Sequence, residues 1–321
     1  MASVADSGDG HAGRVIAAAL AAIAGAYAAL AFPPVGLPLA AAALAWVHAR
    51  RGPIAAVALA VLAGGSTVVA DRVGPLYVTP WLLVAGPAAA AMVKRVRFET
   101  VVLVLTVVVA AVWAGAVAGA AAAQGTDVAS MFRESVLQAA NQGIVGAGAS
   151  DAEARKQLQE LATSVVRVLP SVLAFLAGVT AVASVGAVVA TLRRSGAEVR
   201  TVPPLAEFDL DPRVVWALIG ALVLLAADKF SGNWRGGTLG VVGENVLLTM
   251  RWVLFAQGIA VFAGLYERSK MSRAGRAFGY AALAITEAVL PLVSLTGLVD
   301  IWLNLRKLPR DGRAEAPASP E

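Results

Sequence analysis

Three charged side chains lie inside long apolar stretches of the chain and are its best candidates for chemistry: Glu287, Arg251 and Arg167. Glu287, in "AITEAVLP", is about ten residues from the start of its stretch, or roughly 15 Å at helical rise, which is near the middle of a bilayer. A charge at that depth costs about 2.5–3.5 kcal/mol, so it is expected to face a partner or a cavity. Two interpretations stay open: a pair that stabilises a helix bundle, and a polar site for a small ligand.

The closing stretch "LTGLVDIWLNLRKLPRDG" carries a second group of polar residues where an apolar segment ends. Asp300 and Asn304 are four residues apart and share one helix face. Trp302 is typical of a membrane interface, while Arg306 and Lys307 are expected to extend towards lipid headgroups. An ion pair between Asp300 and Arg306 is also open. The stretch is interpreted either as an anchor at the membrane exit or as a docking surface for a partner.

Enzyme motifs are missing from the sequence. There is no cysteine, histidine occurs only at His11 and His48, and the glycine-rich "GDGHAG" has no strand before it. No GxxxxGK[ST], GxSxG or HExxH pattern is present. We therefore expect no enzymatic activity, no catalytic residue, no cofactor and no metal site.

Composition places the chain among membrane proteins. Of its 321 residues 59% are hydrophobic and 15% are charged, against about 45–50% and about 25% in soluble domains. The basic residues occur in short clusters between apolar runs, which is typical of contacts with anionic lipid rather than with nucleic acid. The expected fold is all-α, a polytopic transmembrane bundle of about eight (eight or nine) spans. The expected partner of its outer surface is the lipid bilayer. The apolar runs lie at 15–32, 37–47, 54–70, 76–93, 100–123, 164–192, 213–227, 246–266 and 277–302.

The charge pattern predicts a division of the chain and an orientation. With Arg14 in the cytoplasm, most basic loops fall on the inner side, and the basic tail joins them if 277–302 is not a simple crossing. Pro291 splits that run, so both termini are expected inside. A cleaved signal peptide over 1–32 is the competing interpretation of the first run. The expected segments are a disordered tail at 1–14, transmembrane helices at 15–123, an extramembrane amphipathic segment at 124–163, transmembrane helices at 164–308 and a disordered tail at 309–321.

Two segments outside the apolar runs have patterns of their own. The first, "DVASMFRESVLQAANQG", has apolar residues at helical spacing, and the "SDAE" that follows predicts the start of another helix. This helical hairpin is interpreted as an amphipathic cap on the outer membrane surface or as a lid over a cavity. The second segment, an inner loop at 193–213, contains Pro203 and Pro204, which exclude a helix there. Separately, Gly115 and Gly119 have the spacing that permits close helix contacts.

The second half of the chain resembles the YybS-like predicted bacterial membrane proteins, a family built on a domain of unknown function. The resemblance is carried by "RVLPSVLAFLAG", "TLRRSG", "VPPLAEFDLDPRVVW", "GIAVFAGLYERSK" and "GLVDIWLNLRKL" and extends over most of 15–308. The matching positions are Pro203, Pro204, Asp300, Trp302, Arg306 and Lys307. The front half is also remotely similar to the substrate-binding subunits of energy-coupling-factor vitamin transporters. The resemblance implies a multi-pass protein of the bacterial cytoplasmic membrane.

Two functions follow as hypotheses. The first is a small-molecule-binding or transport subunit that holds a solute near Glu287 and takes its energy from a separate partner protein. The second is an envelope scaffold that docks cytosolic partners through its basic inner loops and the stretch Asp300–Lys307.

Overall fold

Prolines mark the start of several helices in the computed structural model, which describes residues 9–147, 152–200, 202–232 and 237–309. Pro33 and Pro53 open the second and third helices, where a missing N–H costs nothing. Helices make up 84% of the structure, and the described residues contain no strand. The α-helices are α1 Asp9–Ala31, α2 Pro33–Arg51, α3 Pro53–Ser66, α4 Gly74–Leu83, α5 Ala89–Met92, α6 Phe98–Ala123, α7 Val128–Ala147, α8 Ala152–Arg194, α9 Val215–Phe230, α10 Thr238–Arg268, α11 Arg273–Val289 and α12 Leu292–Leu303.

Five helical stretches in the described part of the chain are long and apolar enough to cross a membrane. They are Ala12–Ala31, Gly74–Met92, Phe98–Ala123, Gln159–Arg194 and Thr238–Arg268. A sixth candidate is the pair α11 and α12, which is bent by 100° at its break. The all-α membrane fold therefore agrees with the sequence, whereas the expected eight or nine spans are not confirmed. Three of the expected runs are not among the candidates. The helices α3 and α9 have only 14 and 16 residues, fewer than the roughly 20 that a helix needs to cross a bilayer, and α2 has 19 residues but carries His48, Arg50 and Arg51 in its last turn.

The chain divides into two compact units, Met1–Val202 and Pro203–Glu321. This boundary differs from the expected segments, which stay a prediction. In the first unit α1 and α2 form an antiparallel hairpin in which Gly25 lies against Ala40 and Gly36 lies against Ala29. Trp81 of α4 is fully buried in the same unit and makes an edge contact with the ring of Trp113 on α6.

The long helix α8 joins the segment expected to be extramembrane to the bundle of the first unit. Its 43 residues run unbroken from Ala152 to Arg194, which is roughly 65 Å at helical rise and about twice the thickness of a hydrocarbon core. Its buried residues Ala177, Ala181 and Val185 belong to the core of the unit. The amphipathic helix α7 packs against it. The sequence predicts that a helix starts at "SDAE", and residues 148–151 of that prediction lie outside the described residues.

In the second unit, α9, α11, α12 and the 3-10 turn Leu205–Glu207 pack along α10. An extended segment at 203–211 follows its C-terminal half, where Leu210 contacts Gln257. The helix α9 follows its N-terminal half, where Ala221 lies against Gly243. Close contacts of Gly258 and Gly297 join α10 to α12.

The helix pair α11 and α12 begins and ends beside the C-terminal end of α10. The first residue of α11, Arg273, follows the last residue of α10 by five positions. Glu287, near the end of α11, bonds to Arg251, which is close to the middle of α10. The chain then returns, and Arg268 at the end of α10 donates a hydrogen bond to the carbonyl oxygen of Arg306. The 277–302 run thus bends by 100° and turns back beside α10 as a hairpin.

Candidate functional site

Glu287 and Arg251 form a buried ion pair at the tip of the α11–α12 hairpin. Arg251 Nε donates to Glu287 Oε1 at 2.8 Å, and Arg251 Nη2 also donates to the Glu287 carbonyl oxygen. The Glu287 side chain is 3% exposed, while that of Arg251 is 34% exposed. The structure therefore brings together two of the three charged residues singled out in the sequence.

Ser294 completes this site because the chain breaks between α11 and α12. Pro291 precedes α12 directly, so Ser294 is the third residue of that helix and its N–H has no helical partner. Glu287 Oε2 accepts a hydrogen bond from this N–H at 3.1 Å, and Glu287 Oε1 accepts one from Ser294 Oγ at 2.6 Å. A carboxylate is favourable at a helix N-terminus. Glu287 therefore binds an arginine and caps α12 at once, which closes both of its oxygens to a ligand.

A second buried network surrounds Arg306 at the other end of the hairpin. The side chain of Arg306 is 2% exposed, and its Nη2 lies 2.8 Å from Asp300 Oδ2 and 3.3 Å from Asp209 Oδ1. Its Nη1 donates to the carbonyl oxygens of Ala206 and Phe208, at 2.7 Å each. One guanidinium thus fastens the extended segment 203–211 to the end of α12.

Gln257 of α10 is the third member of this network. Its Nε2 donates to Asp300 Oδ2 at 2.8 Å and to Asp209 Oδ1 at 3.0 Å. Its Oε1 accepts a hydrogen bond from the Leu210 N–H at 3.2 Å. The side chain is fully buried, so α10 is tied to both other segments through a single amide.

Local sequence explains how these groups meet. Asn304 ends α12 in the left-handed region, at φ 44°, and its side chain bonds the N–H and carbonyl of Leu308. This turn directs Arg306 back towards Asp300. Pro204 is extended, with φ −60° and ψ 153°, and a short 3-10 turn follows at Leu205–Glu207. Because this turn ends at Glu207 and no helix continues it, the carbonyls of Ala206 and Phe208 are available to Arg306.

The remaining candidate residues are distributed as follows. Arg167 is half-buried on α8 of the first unit. Arg306 does not extend outward as expected but is buried. Trp302 is 61% exposed, and Lys307 is exposed as well. The predicted docking set Asp300–Lys307 therefore separates into an internal ion pair and an outward-facing group.

Sequence reasoning missed Gln257, Asp209 and Ser294. Gln257 offered a signal, since a lone amide in the apolar run "VLFAQGIAVF" needs a partner in lipid. Asp209 and Ser294 offered none, because loop carboxylates and helix serines are common. Among the described residues no group of three or more histidines or carboxylates is placed to hold a metal ion.

The fold and its buried ion pairs define a multi-pass helical membrane protein. Its described residues contain five candidate spans, or six if the bent pair α11 and α12 counts as one. Residues 15–301 match the family described as "Predicted membrane protein (DUF2232)", and the chain belongs to that family. It is a family of membrane proteins of unknown function. No curated protein and no solved structure matches the chain. The finer resemblances, to YybS-like proteins and to energy-coupling-factor subunits, stay predictions.

Proposed function

We propose that this chain is a non-enzymatic interaction protein of the bacterial cytoplasmic membrane, and that one end of its second unit docks an acidic cytosolic protein. The supporting observation is the Arg306 network, which joins the segment 203–211, α10 and α12 at that end. Because these hydrogen bonds hold three segments together, the surface beside them should keep one shape and so suit a docking partner. The exposed residues beside it are Trp302, Lys307, Lys270 and Arg273.

The orientation belongs to the same proposal. Because α11 and α12 return to their starting end, the cluster Arg268–Arg276 falls on the same side of the second unit as Arg306 and Lys307. By the positive-inside rule this side is cytoplasmic. With Arg14 also inside, both termini are cytoplasmic. This arrangement needs an even number of crossings, so the proposal includes crossings by α2, α3 and α9 in addition to the five candidate stretches. A reporter that is active only in the periplasm, fused after Glu321, would contradict this orientation.

Charge reversal tests the docking surface. We expect the triple variant Lys270→Glu, Arg273→Glu and Lys307→Glu to lose a protein that co-purifies with the full chain from native membranes, and we expect that protein to dissociate at high salt. The matched control is Arg72→Glu, an exposed arginine in the turn before α4 of the first unit. Unchanged co-purification in the triple variant, with wild-type thermal stability in detergent, would refute the proposal.

A solute-binding or transport subunit, energised by a separate partner, is the second candidate. It is favoured by one observation: the break between α11 and α12 places Arg251 and the α12 N-terminus near the middle of α10. Broken helices at this depth form substrate sites in many transporters. Arg251, at 34% exposed, is the group that a solute anion would contact.

This candidate makes a different prediction. An acidic metabolite should be detected by mass spectrometry in the purified wild-type protein and be absent from Arg251→Gln. The variant Thr296→Val, on the exposed side of α12, should retain it. If the wild-type protein carries no such metabolite, the ion pair has a structural role only.

A further inference from the structure

An open apolar groove lies between α1 and α2 in the first unit. Its volume is about 310 Å³. The side chains that line it are those of Arg14, Ala17, Ala18, Ala21, Leu39, Ala42, Ala43 and Trp46. Arg14 is therefore the one charged residue in a lining that is otherwise hydrocarbon and indole.

Small residues of both helices shape the hairpin and the groove on it. Gly25 and Gly36 allow backbone contact with Ala40 and Ala29. The groove itself is lined mainly by alanines of both helices, with Leu39 and Trp46 as the large apolar side chains. The shape is therefore built into the sequence of the hairpin.

The register of the hairpin places further positive charge at the Arg14 end of the groove. Because Gly25 faces Ala40 and Ala29 faces Gly36, the antiparallel register carries Arg14 to the level of Arg51. Arg50 and Arg51 are exposed in the last turn of α2. The groove thus has an apolar floor with three arginines around one end.

We propose that this groove binds an anionic phospholipid, with an acyl chain along α1 and α2 and the phosphate at Arg14, Arg50 and Arg51. Residues Ala12–Ala31 are a candidate span, so the groove opens sideways into lipid tails. Trp46 beside the arginines is typical of the level where headgroups begin. Apolar lining selects a hydrocarbon chain, and the arginines select a negative headgroup.

The test uses the purified full chain with phosphatidylglycerol and phosphatidylcholine vesicles, read by native mass spectrometry of retained lipid. We expect wild type to retain phosphatidylglycerol preferentially. Each of Arg14→Gln, Arg50→Gln and Arg51→Gln should reduce that preference by about fivefold, since a basic residue near a membrane surface contributes about that factor. The control Arg72→Gln should leave the preference unchanged.

Filling the groove gives an independent readout. Ala42→Phe should displace both lipids from the site, whereas Ala118→Phe, at an exposed position of α6, should displace neither. The proposal is overturned if both lipids are retained equally by wild type, if Ala42→Phe retains wild-type lipid, or if a second copy of the chain crosslinks into the groove. None of these outcomes depends on the docking surface of the second unit.

Discussion

The two units of this protein hold their helices together in different ways. In the first unit small residues let the helices approach closely: a Cβ added to Gly25 would lie 2.6 Å from the backbone nitrogen of Ala40. In the second unit similar close contacts at Gly258 and Gly297 are joined by two buried ion-pair networks. The α1–α2 hairpin therefore relies on shape, and the second unit relies on shape and charge.

This difference follows from the backbone that each unit contains. Helices in lipid gain little from hydrophobic burial, so close packing and polar contacts drive their association. The helices α1 and α2 satisfy their own backbone groups and need only fit. The second unit contains the extended segment 203–211, whose carbonyls need donors wherever water is excluded. Arg306 supplies these donors, and Asp300 and Asp209 balance its charge.

The largest expected effect is the loss of Arg306. Arg306→Met leaves the buried Asp300 without its cation, and breaking a buried pair from one side costs about 3–5 kcal/mol. We expect a decrease of that size in the free energy of unfolding, measured in bicelles. Lys307→Met, its exposed neighbour, should change the value by less than about 0.5 kcal/mol.

A double variant distinguishes charge from packing at this site. Arg306→Met with Asp300→Leu removes both charges, so it should recover part of the loss seen in Arg306→Met alone. If the double variant is less stable than the single variant by the full cost of Asp300→Leu, the two side chains act independently and the network has been misinterpreted.

The second expected effect concerns shape in the first unit. Gly36→Ala places a methyl group against the backbone of Ala29, and overpacking of this kind costs about 1–3 kcal/mol. Gly115→Ala is the matched control because a Cβ there meets no described atom within 4 Å. It should be neutral or stabilising by up to about 1 kcal/mol, as for alanine in a helix interior. If both variants lose the same free energy of unfolding, the close fit of α1 and α2 is not what stabilises the first unit.

These glycines show how far the sequence could be interpreted. The all-helical membrane fold was predictable because long apolar runs leave few alternatives. The spacing of Gly115 and Gly119 permits a close contact, but a Cβ at either position meets no described atom within 4 Å, and the close contacts occur at Gly25 and Gly36. Spacing alone does not reveal which helices are neighbours. The span count is not confirmed where helices are short or broken, since hydropathy alone does not show that the chain bends by 100° between α11 and α12.

The candidate site was predictable to a similar extent. Charge in an apolar run identified Glu287 and Arg251, because an isolated charge in lipid needs a partner. The role of Asn304 in turning Arg306 inward was not predictable, since it depends on one left-handed residue. The expectation that Arg306 extends to headgroups used the general behaviour of arginine near a membrane exit, and the neighbouring carbonyls of 203–211 override it.

The third prediction measures the charge contact at the hairpin tip. In a double-mutant cycle, Arg251→Gln and Glu287→Gln should show a coupling energy of about 1 kcal/mol, within the 0.5–3 kcal/mol range of residues in contact. The value should be smaller than the effect at Arg306 because Arg251 is one-third exposed. A control cycle of Arg251→Gln with Thr296→Val should show no coupling. If the effects of Arg251→Gln and Glu287→Gln simply add, the ion pair does not contribute to the stability of the second unit.

The smallest expected effect tests whether a charge also contributes in the first unit. Asp71 lies in the turn before α4, outside the candidate spans, and accepts hydrogen bonds from the Tyr77 hydroxyl at 2.6 Å and the Val73 N–H at 3.0 Å. The Tyr77 hydrogen bond, with smaller help from the backbone, lowers the pKa of Asp71 below its usual value. A lowered pKa stabilises the folded state above the unfolded value of about 3.9, and this stabilisation is lost as the pH falls through the folded pKa.

Tyr77→Phe should therefore be less stable than wild type at pH 6, and the difference should narrow below about pH 4, where unfolded aspartate takes up a proton. Tyr27→Phe is the matched control, since the Tyr27 hydroxyl donates to the Ser66 carbonyl at 2.7 Å and no carboxylate is involved. Its difference from wild type should stay constant over the same pH range in thermal unfolding. If Tyr77→Phe shows the same flat profile, Asp71 contributes no charge-dependent stability, and the first unit depends on the fit of its helices without a contribution from this carboxylate.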